Sequence, residues 1–244
     1  MSTRRLRRRL VFAGLGLASA ALPLPAASSA LTVAHRLTVG LDPAARTLAV
    51  DDRMLLLAGG TVEFLLNSQL AISFSLPPVA EVPLGDVAPF LGNNGGEGSA
   101  AGLRRYRVRL PEGGGALHLT YGGKFDFGLG AQKEEYQRGF RDTAGIVSPE
   151  GVYLAGSGFW YAQFGQATGP SSGQDELVEF ELTARAPEGW HLVSQGNGTS
   201  RDKLGFAHWA SAGKMDEIYL VGGPLVRSHR TVPAAAGVAG SSAV

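Results

Sequence analysis

Short stretches of alternating apolar and polar residues run through most of this chain, and clusters of Gly, Pro, Asn or Asp separate them. Alternation places every second side chain on one face of a strand, and the clusters favour turns. Gly accounts for 35 of 244 residues. That is roughly twice the usual share, and Gly is disfavoured in helix interiors. The sequence therefore predicts an all-β protein, either a β-sandwich or a large twisted sheet of about ten or more short strands.

Two strand pairs are predicted around sharp turns. Residues 37–41 and 48–50 alternate on either side of an Asp-Pro turn. Residues 104–110 and 117–121 flank a Gly-Gly-Gly turn. Short turns between alternating segments are typical of hairpins, so we expect each pair to form two antiparallel neighbours.

The rest of the body divides into short strands and long loops. Residues 77–102 form a long loop rich in Gly and Pro, and residues 133–141 are compatible with one short helix. Further strands are predicted at residues 62–66, 70–74, 152–154, 160–164, 178–184, 192–195, 206–209 and 218–221.

The first thirty residues have the pattern of a secretory signal peptide. A basic start precedes the apolar residues 10–22, and the small residues Ser28 and Ala30 stand at cleavage-site spacing. Pro23 and Pro25 end the apolar run before it is long enough to span a membrane. We expect residues 1–30 to be removed on export to the periplasm or the medium, by either the general or the twin-arginine route.

The charge balance argues against a nucleic-acid-binding surface. Five arginines lie at positions 4–9, and outside them 17 basic residues face 21 acidic ones. A nucleic-acid groove or membrane-surface patch would require a basic body. No later stretch is apolar enough to span a membrane, so no membrane span is expected after signal removal.

The histidines lack the spacing of a zinc peptidase. The H-E-x-x-H motif needs two imidazoles one helical turn apart, because only that spacing directs both at one metal. No two of the five histidines are closer than 17 residues, and Cys is absent. We therefore assign no catalytic, metal-binding or cofactor-binding residue, although a site assembled from distant strands remains open. The histidines are His35, His118, His191, His208 and His229.

Two side-chain groups have both a structural and a functional interpretation. Phe159, Trp160 and Tyr161 form an aromatic cluster that either packs in the core or provides an interaction surface for a sugar or a partner protein. The acid pairs Glu134-Glu135 and Asp175-Glu176 are either solvated loop charges or part of a carboxylate pair that hydrolyses glycosides.

Seven segments of the body occur in a characteristic order. Together they resemble the N-terminal β domain of the zinc aminopeptidases typified by aminopeptidase N, the membrane alanine aminopeptidases. The resemblance extends over residues 34–227. It implies residues 31–227 as the β domain, which follows the signal peptide expected at residues 1–30. The Ala, Gly and Ser residues near the C-terminus have no pattern, so residues 228–244 are expected to form a disordered tail. The segments are residues 35–54, YGG at 121–123, GIVSPEGVYL at 145–154, WY at 160–161, PEGW at 187–190 with SQG at 194–196, Trp209, and IYLVGGP at 218–224.

The resemblance implies a saddle-like β domain that packs beside a thermolysin-like catalytic domain. In the family that second domain carries H-E-x-x-H, a glutamate ligand, a catalytic tyrosine and a G-x-M-E-N loop. None of these motifs is present here, and residues 213–217 lack the final Asn and are interpreted as a turn. Zinc is accordingly expected only in the family's catalytic domain, with no cofactor in this chain. The implied partner is a zinc peptidase catalytic domain or a peptide.

The sequence thus favours a noncatalytic exported β domain, a truncated or split-off part of a metallopeptidase. The alternative is a stand-alone secreted β-sandwich that binds glycan or protein through the aromatic cluster or the loop at residues 77–102. A metal-free hydrolase with paired carboxylates is a third hypothesis.

Overall fold

The computed structural model describes residues 32–57, 59–87, 102–129, 143–165, 177–185 and 187–226. The expected signal peptide, the helix candidate at 133–141, both acid pairs and the tail at 228–244 lie outside these ranges. Within them, no helix combines the length and the apolar composition needed to cross a membrane. The strands are β1 (Thr32–Asp42), β2 (Thr47–Leu56), β3 (Gly60–Asn67), β4 (Ala71–Leu76), β5 (Ala80–Val82), β6 (Leu103–Leu110), β7 (Gly115–Lys124), β8 (Ile146–Ser148), β9 (Gly151–Leu154), β10 (Gln163–Phe164), β11 (Leu177–Arg185), β12 (His191–Val193), β13 (Ser200–Arg201), β14 (Phe206–Ala210) and β15 (Leu220–Gly223).

The strands form three sheets, which confirms the prediction of an all-β protein. The largest has seven strands in the order β13-β14-β11-β1-β2-β7-β4, with β1 and β11 parallel. A second sheet has the order β10-β3-β6-β5, and a third the order β12-β15-β9-β8. A 3-10 turn, Gly156–Gly158, lies between β9 and β10.

One hydrophobic core joins the inner faces of the three sheets. Leu37 of β1, Phe64 of β3 and Leu220 of β15 belong to the same cluster of buried side chains. The alternation seen in the sequence sets this arrangement, since every second residue of β2 from Leu48 to Leu56 is buried. Each fully buried Leu or Phe side chain contributes about 1.5–3 kcal/mol of transfer free energy.

One predicted hairpin is confirmed and the other is wrong. β1 and β2 pair antiparallel around the Asp-Pro turn, where Asp42 accepts a hydrogen bond from the Ala45 N–H at 2.9 Å. β6 and β7 both exist, but β6 pairs with β3 and β5, whereas β7 pairs with β2 and β4. The Gly-Gly-Gly turn therefore carries the chain from one sheet to another.

The crossing depends on a close approach of two backbones. A Cβ on Gly114 would lie 2.2 Å from the Leu56 carbonyl oxygen, and one on Gly59 would lie 1.9 Å from the Pro111 oxygen. The β2–β3 and β6–β7 connections thus pack directly against each other, and both cross between the same two sheets. Alternation predicts the strands, but it does not reveal that the turn leaves the sheet.

Two further predictions need correction. The expected loop at 77–102 contains β5, which pairs with β6, while residues 88–101 lie outside the described ranges. The expected strand at 160–164 is reduced to Gln163–Phe164, because the residues before it follow the 3-10 turn into the core. The other predicted strands are present, with bounds that differ by a few residues.

Candidate functional site

The aromatic cluster is part of the core. Phe159, Trp160 and Tyr161 are only 3%, 0% and 2% exposed. The Trp160 Nε1–H donates to the Ile218 carbonyl oxygen at 3.1 Å, which satisfies its one polar group. The structure therefore corrects the interpretation of these three side chains as an interaction surface, since no ring face is open to a sugar or a partner.

The 3-10 turn directs these aromatic side chains inward. Asn67, at the end of β3, donates from Nδ2 to the Gly158 oxygen at 3.0 Å, and its N–H donates to the Phe159 oxygen at 2.9 Å. Phe159 takes a left-handed conformation, with φ 52°. Its ring packs against Leu65 and Leu103 in a small second cluster. The turn is thereby fixed to the sheet that contains β3.

A half-buried polar network joins segments that are distant in sequence. Glu217 accepts hydrogen bonds from the Gly156 N–H at 2.7 Å and from the Tyr219 hydroxyl. Gln195 donates to the Glu217 carbonyl oxygen at 3.1 Å and accepts from the Tyr219 N–H at 2.8 Å. The hydrogen bond to Glu217 is the main reason that the pKa of Tyr219 lies well above its ordinary value. This network holds the ends of β12 and β15 beside the 3-10 turn.

Three of the histidines each contact one carboxylate. His35 donates from Nδ1 to Asp52 at 2.9 Å in the core, and His118 donates from Nε2 to Asp51 at 2.7 Å. His208 contacts Asp202 through Nε2 at 3.1 Å, and its other ring nitrogen lies 3.0 Å from the Thr183 hydroxyl. Residue 229 lies outside the described ranges.

These pairs do not fit a zinc site. Zinc in proteins is held by three or four side chains around one point. Among the residues that the structure describes, no three His, Asp or Glu side chains are placed to hold a common ion. Each of the three imidazoles instead contacts a different carboxylate.

A cavity of about 410 Å³ lies where three chain segments meet. These are the β1–β2 turn with Arg46, residues 126–129 after β7, and the β8–β9 hairpin. The Phe125 N–H donates to the Arg46 oxygen at 2.9 Å, and the Phe127 N–H donates to the Gly145 oxygen at 3.0 Å. These bonds tie residues 125–127 to both neighbouring segments. Sequence reasoning missed this cavity because its residues lie far apart along the chain.

Charged and apolar side chains line this cavity. Arg46 forms an ion pair with Asp126, whose side chain is only 7% exposed. Glu150 lies at the β8–β9 turn, and the Ser148 hydroxyl is the main influence that lowers its pKa. That hydroxyl also lies 3.4 Å from the Gly151 carbonyl oxygen. The apolar lining residues are Leu129, Ile146, Val152 and Tyr153.

Comparison with solved structures identifies zinc metallopeptidases with a similar fold. The M1 zinc metallopeptidase from Deinococcus radiodurans, solved as a mutant bound to a Tyr-Ser-Ala substrate, is 14% identical with a TM-score of 0.49, over 84% of this chain and 44% of that chain. A structure of the same enzyme without a named ligand is 13% identical with a TM-score of 0.47, over 80% of this chain and 42% of that chain. A two-domain M1 zinc metallopeptidase mutant bound to L-tryptophan is 16% identical with a TM-score of 0.48, over 84% of this chain and 45% of that chain.

The chain therefore spans less than half the length of these solved chains. No protein-family model and no curated protein matches it.

Proposed function

We propose that this chain is a noncatalytic, exported β domain of the kind that precedes the catalytic domain of zinc-dependent aminopeptidases. One observation carries the proposal. Three of the seven segments that resemble the family, although separated in sequence, lie together around one sheet. Residues 145–154 form β8 and β9, residues 218–224 contain β15, and β15 pairs with both β9 and β12.

Contacts between these segments strengthen the observation. Gln195 of the SQG segment bonds to Glu217 and Tyr219 beside β15. Trp160 of the WY segment bonds to the Ile218 oxygen at the start of IYLVGGP. The segments thus form one structural unit, which is expected if they derive from a common domain and not from chance matches.

The noncatalytic part of the proposal rests on ligand chemistry. A zinc peptidase uses the metal to polarise the scissile carbonyl and to activate water, so it needs a ligand set in its own chain. The sequence lacks H-E-x-x-H. The three described histidines that bind carboxylates do so in separate pairs. Zinc would therefore belong to a partner or a following catalytic domain.

Sequencing the DNA downstream of the gene tests the origin of the chain. We expect a reading frame, continuous or shifted, that encodes H-E-x-x-H and a later glutamate ligand. Absence of such a frame within about one kilobase would contradict a truncated or split peptidase. A stand-alone binding module would then be the better account.

A further inference from the structure

We propose that the cavity formed by the β1–β2 turn, residues 126–129 and the β8–β9 hairpin binds a small organic cation with an apolar body. This goes beyond the proposed function, which gives the cavity no role. The proposal rests on the volume of the cavity, its apolar walls, its charge and the way its backbone is held.

The size and walls of the cavity suit a small amphiphilic molecule. Its volume of about 410 Å³ falls in the range of small-molecule sites, which are mostly apolar with a few polar groups. Ile146 and Tyr153 are directly paired across β8 and β9, so their side chains lie on one face. Tyr153 is 39% exposed, and Val221, its partner on β15, is also exposed. The apolar surface therefore continues outward from the cavity across the sheet.

The charge of the cavity favours a cation. Arg46 and Asp126 neutralise each other, and Asp126 also accepts the Gly128 N–H at 3.3 Å, so its carboxylate is committed within the protein. Among the lining residues that the structure describes, this leaves the charge of Glu150, which lies on the exposed β8–β9 turn. The Ser148 hydroxyl and a backbone N–H hold the pKa of Glu150 below its ordinary value, while the influences of Arg46 and Asp126 oppose each other, so this carboxylate is ionised at neutral pH. A cavity with one net negative charge attracts cations and disfavours anions.

The cavity is held in shape before any ligand arrives. Arg46 adopts a left-handed conformation, with φ 59°, which is uncommon for a residue with a side chain. This conformation is fixed because the Arg46 carbonyl oxygen accepts the Phe125 N–H, while its guanidinium holds Asp126. Uncommon backbone conformations that several contacts hold in place are found at binding sites. A site that is already formed binds more tightly, because its loops and side chains need not become ordered when the ligand arrives.

Calorimetric titration of the purified chain with three matched aromatic probes tests the proposal. The probes are 2-phenylethylamine, 2-phenylethanol and phenylacetate, which present a cation, a neutral group and an anion on similar apolar bodies. We expect the amine to bind about tenfold more tightly than the alcohol, a ratio typical of one charge-assisted contact, and phenylacetate not to bind measurably. Equal binding of amine and alcohol, or no binding of the amine, would overturn the proposal.

Variants then locate the site. Glu150→Gln is expected to abolish the preference for the amine over the alcohol, and Tyr153→Ala to weaken both by at least about fivefold through lost apolar contact. Glu188→Gln, in a turn that does not line the cavity, serves as the matched control and should leave binding unchanged. Amine binding that survives both cavity variants would place the site elsewhere and overturn the proposal. Circular dichroism of each variant verifies the fold, and no outcome depends on a peptidase origin.

Discussion

At the scale of single residues, the core contains a polar cluster between β1, β2 and β7. His35 and Asp52 are both fully buried and bonded to each other. The Tyr161 ring lies 5.5 Å from the His35 ring in an edge arrangement. Within the described part of the chain, the His35 Nε2 atom and the Tyr121 hydroxyl have no hydrogen-bond partner. Burial, with a further contribution from the Asp52 charge, raises the pKa of Tyr121 well above its ordinary value.

This cluster predicts strong coupling between His35 and Asp52. Asp52→Val should lower the free energy of unfolding by about 3 kcal/mol, because it leaves a buried imidazole without its partner. Replacing both residues, as His35→Leu with Asp52→Val, should recover most of that loss because no unpaired polar group remains. Urea denaturation of the two single variants and the double variant measures the coupling. Purely additive losses would contradict this account.

The ion pairs of Glu63 should make the free energy of unfolding depend on pH in the acidic range. Its carboxylate accepts the Nε–H of Arg105 at 2.8 Å and that of Arg107 at 2.7 Å. Burial raises the pKa of Glu63, but these two guanidinium groups more than offset that effect, and the net pKa lies below the ordinary value. The stabilisation is therefore complete above the unfolded-state pKa of about 4.3 and is lost as the pH falls through the lower folded-state value.

Glu63→Gln should accordingly cost about 1–2 kcal/mol near pH 6 and much less near pH 3. Denaturant titrations of the wild type and the variant at several pH values provide the comparison. Glu112→Gln, at an exposed turn, controls for the loss of a carboxylate as such. A Glu63→Gln cost that does not change between the two pH values would show that the ion pairs do not stabilise the fold.

At the scale of secondary-structure elements, the sequence predicts where strands form better than it predicts their partners. Alternation depends on nearest neighbours and correctly indicates β1, β2, β6 and β7. Pairing depends on where the turn directs the chain, and the short turn after β6 directs it into another sheet. The local sequence pattern also does not predict that Trp160 is buried. Its position depends on the hydrogen bond from Asn67 on β3 to the Gly158 oxygen and on its own hydrogen bond to the Ile218 oxygen before β15.

Adjacent glycines in the β6–β7 turn test the crossing between sheets. Gly114 has a φ of 89°, and a Cβ there would meet the Leu56 oxygen at 2.2 Å, whereas a Cβ on Gly113 would have no neighbour within 4 Å. Gly114→Ala should therefore lower stability by at least about 2 kcal/mol, while Gly113→Ala should change it by less than about 0.5 kcal/mol. Thermal unfolding of the two variants gives the comparison. Equal effects would contradict the close packing of the two connections.

At the scale of the whole molecule, the sequence predicts the resemblance to a peptidase β domain but does not predict the cavity. The resemblance could be recognised because most segments keep several adjacent residues, such as those at 145–154, and occur in a fixed order. Their distribution over two sheets could not be predicted, since residues 35–54 lie in the seven-stranded sheet and residues 145–154 in the sheet of β12, β15, β9 and β8. The cavity could not be predicted, because Arg46, Asp126 and Glu150 share no motif and meet only through the arrangement of three segments. For the aromatic cluster the sequence leaves core packing and an interaction surface both open, since exposed and buried aromatic residues look alike in a sequence, and the burial of Phe159, Trp160 and Tyr161 decides for the core.

The most direct test of the account is an aminopeptidase assay on the purified chain supplied with zinc. A panel of fluorogenic aminoacyl amides, run beside a known zinc aminopeptidase, would report turnover with and without a chelator. We predict no release above the blank for any substrate, because the sequence lacks H-E-x-x-H and, among the described residues, no three His, Asp or Glu side chains are placed to hold a common ion. Chelator-sensitive turnover that remains with the protein through successive purification steps would contradict the claim that this β domain is noncatalytic.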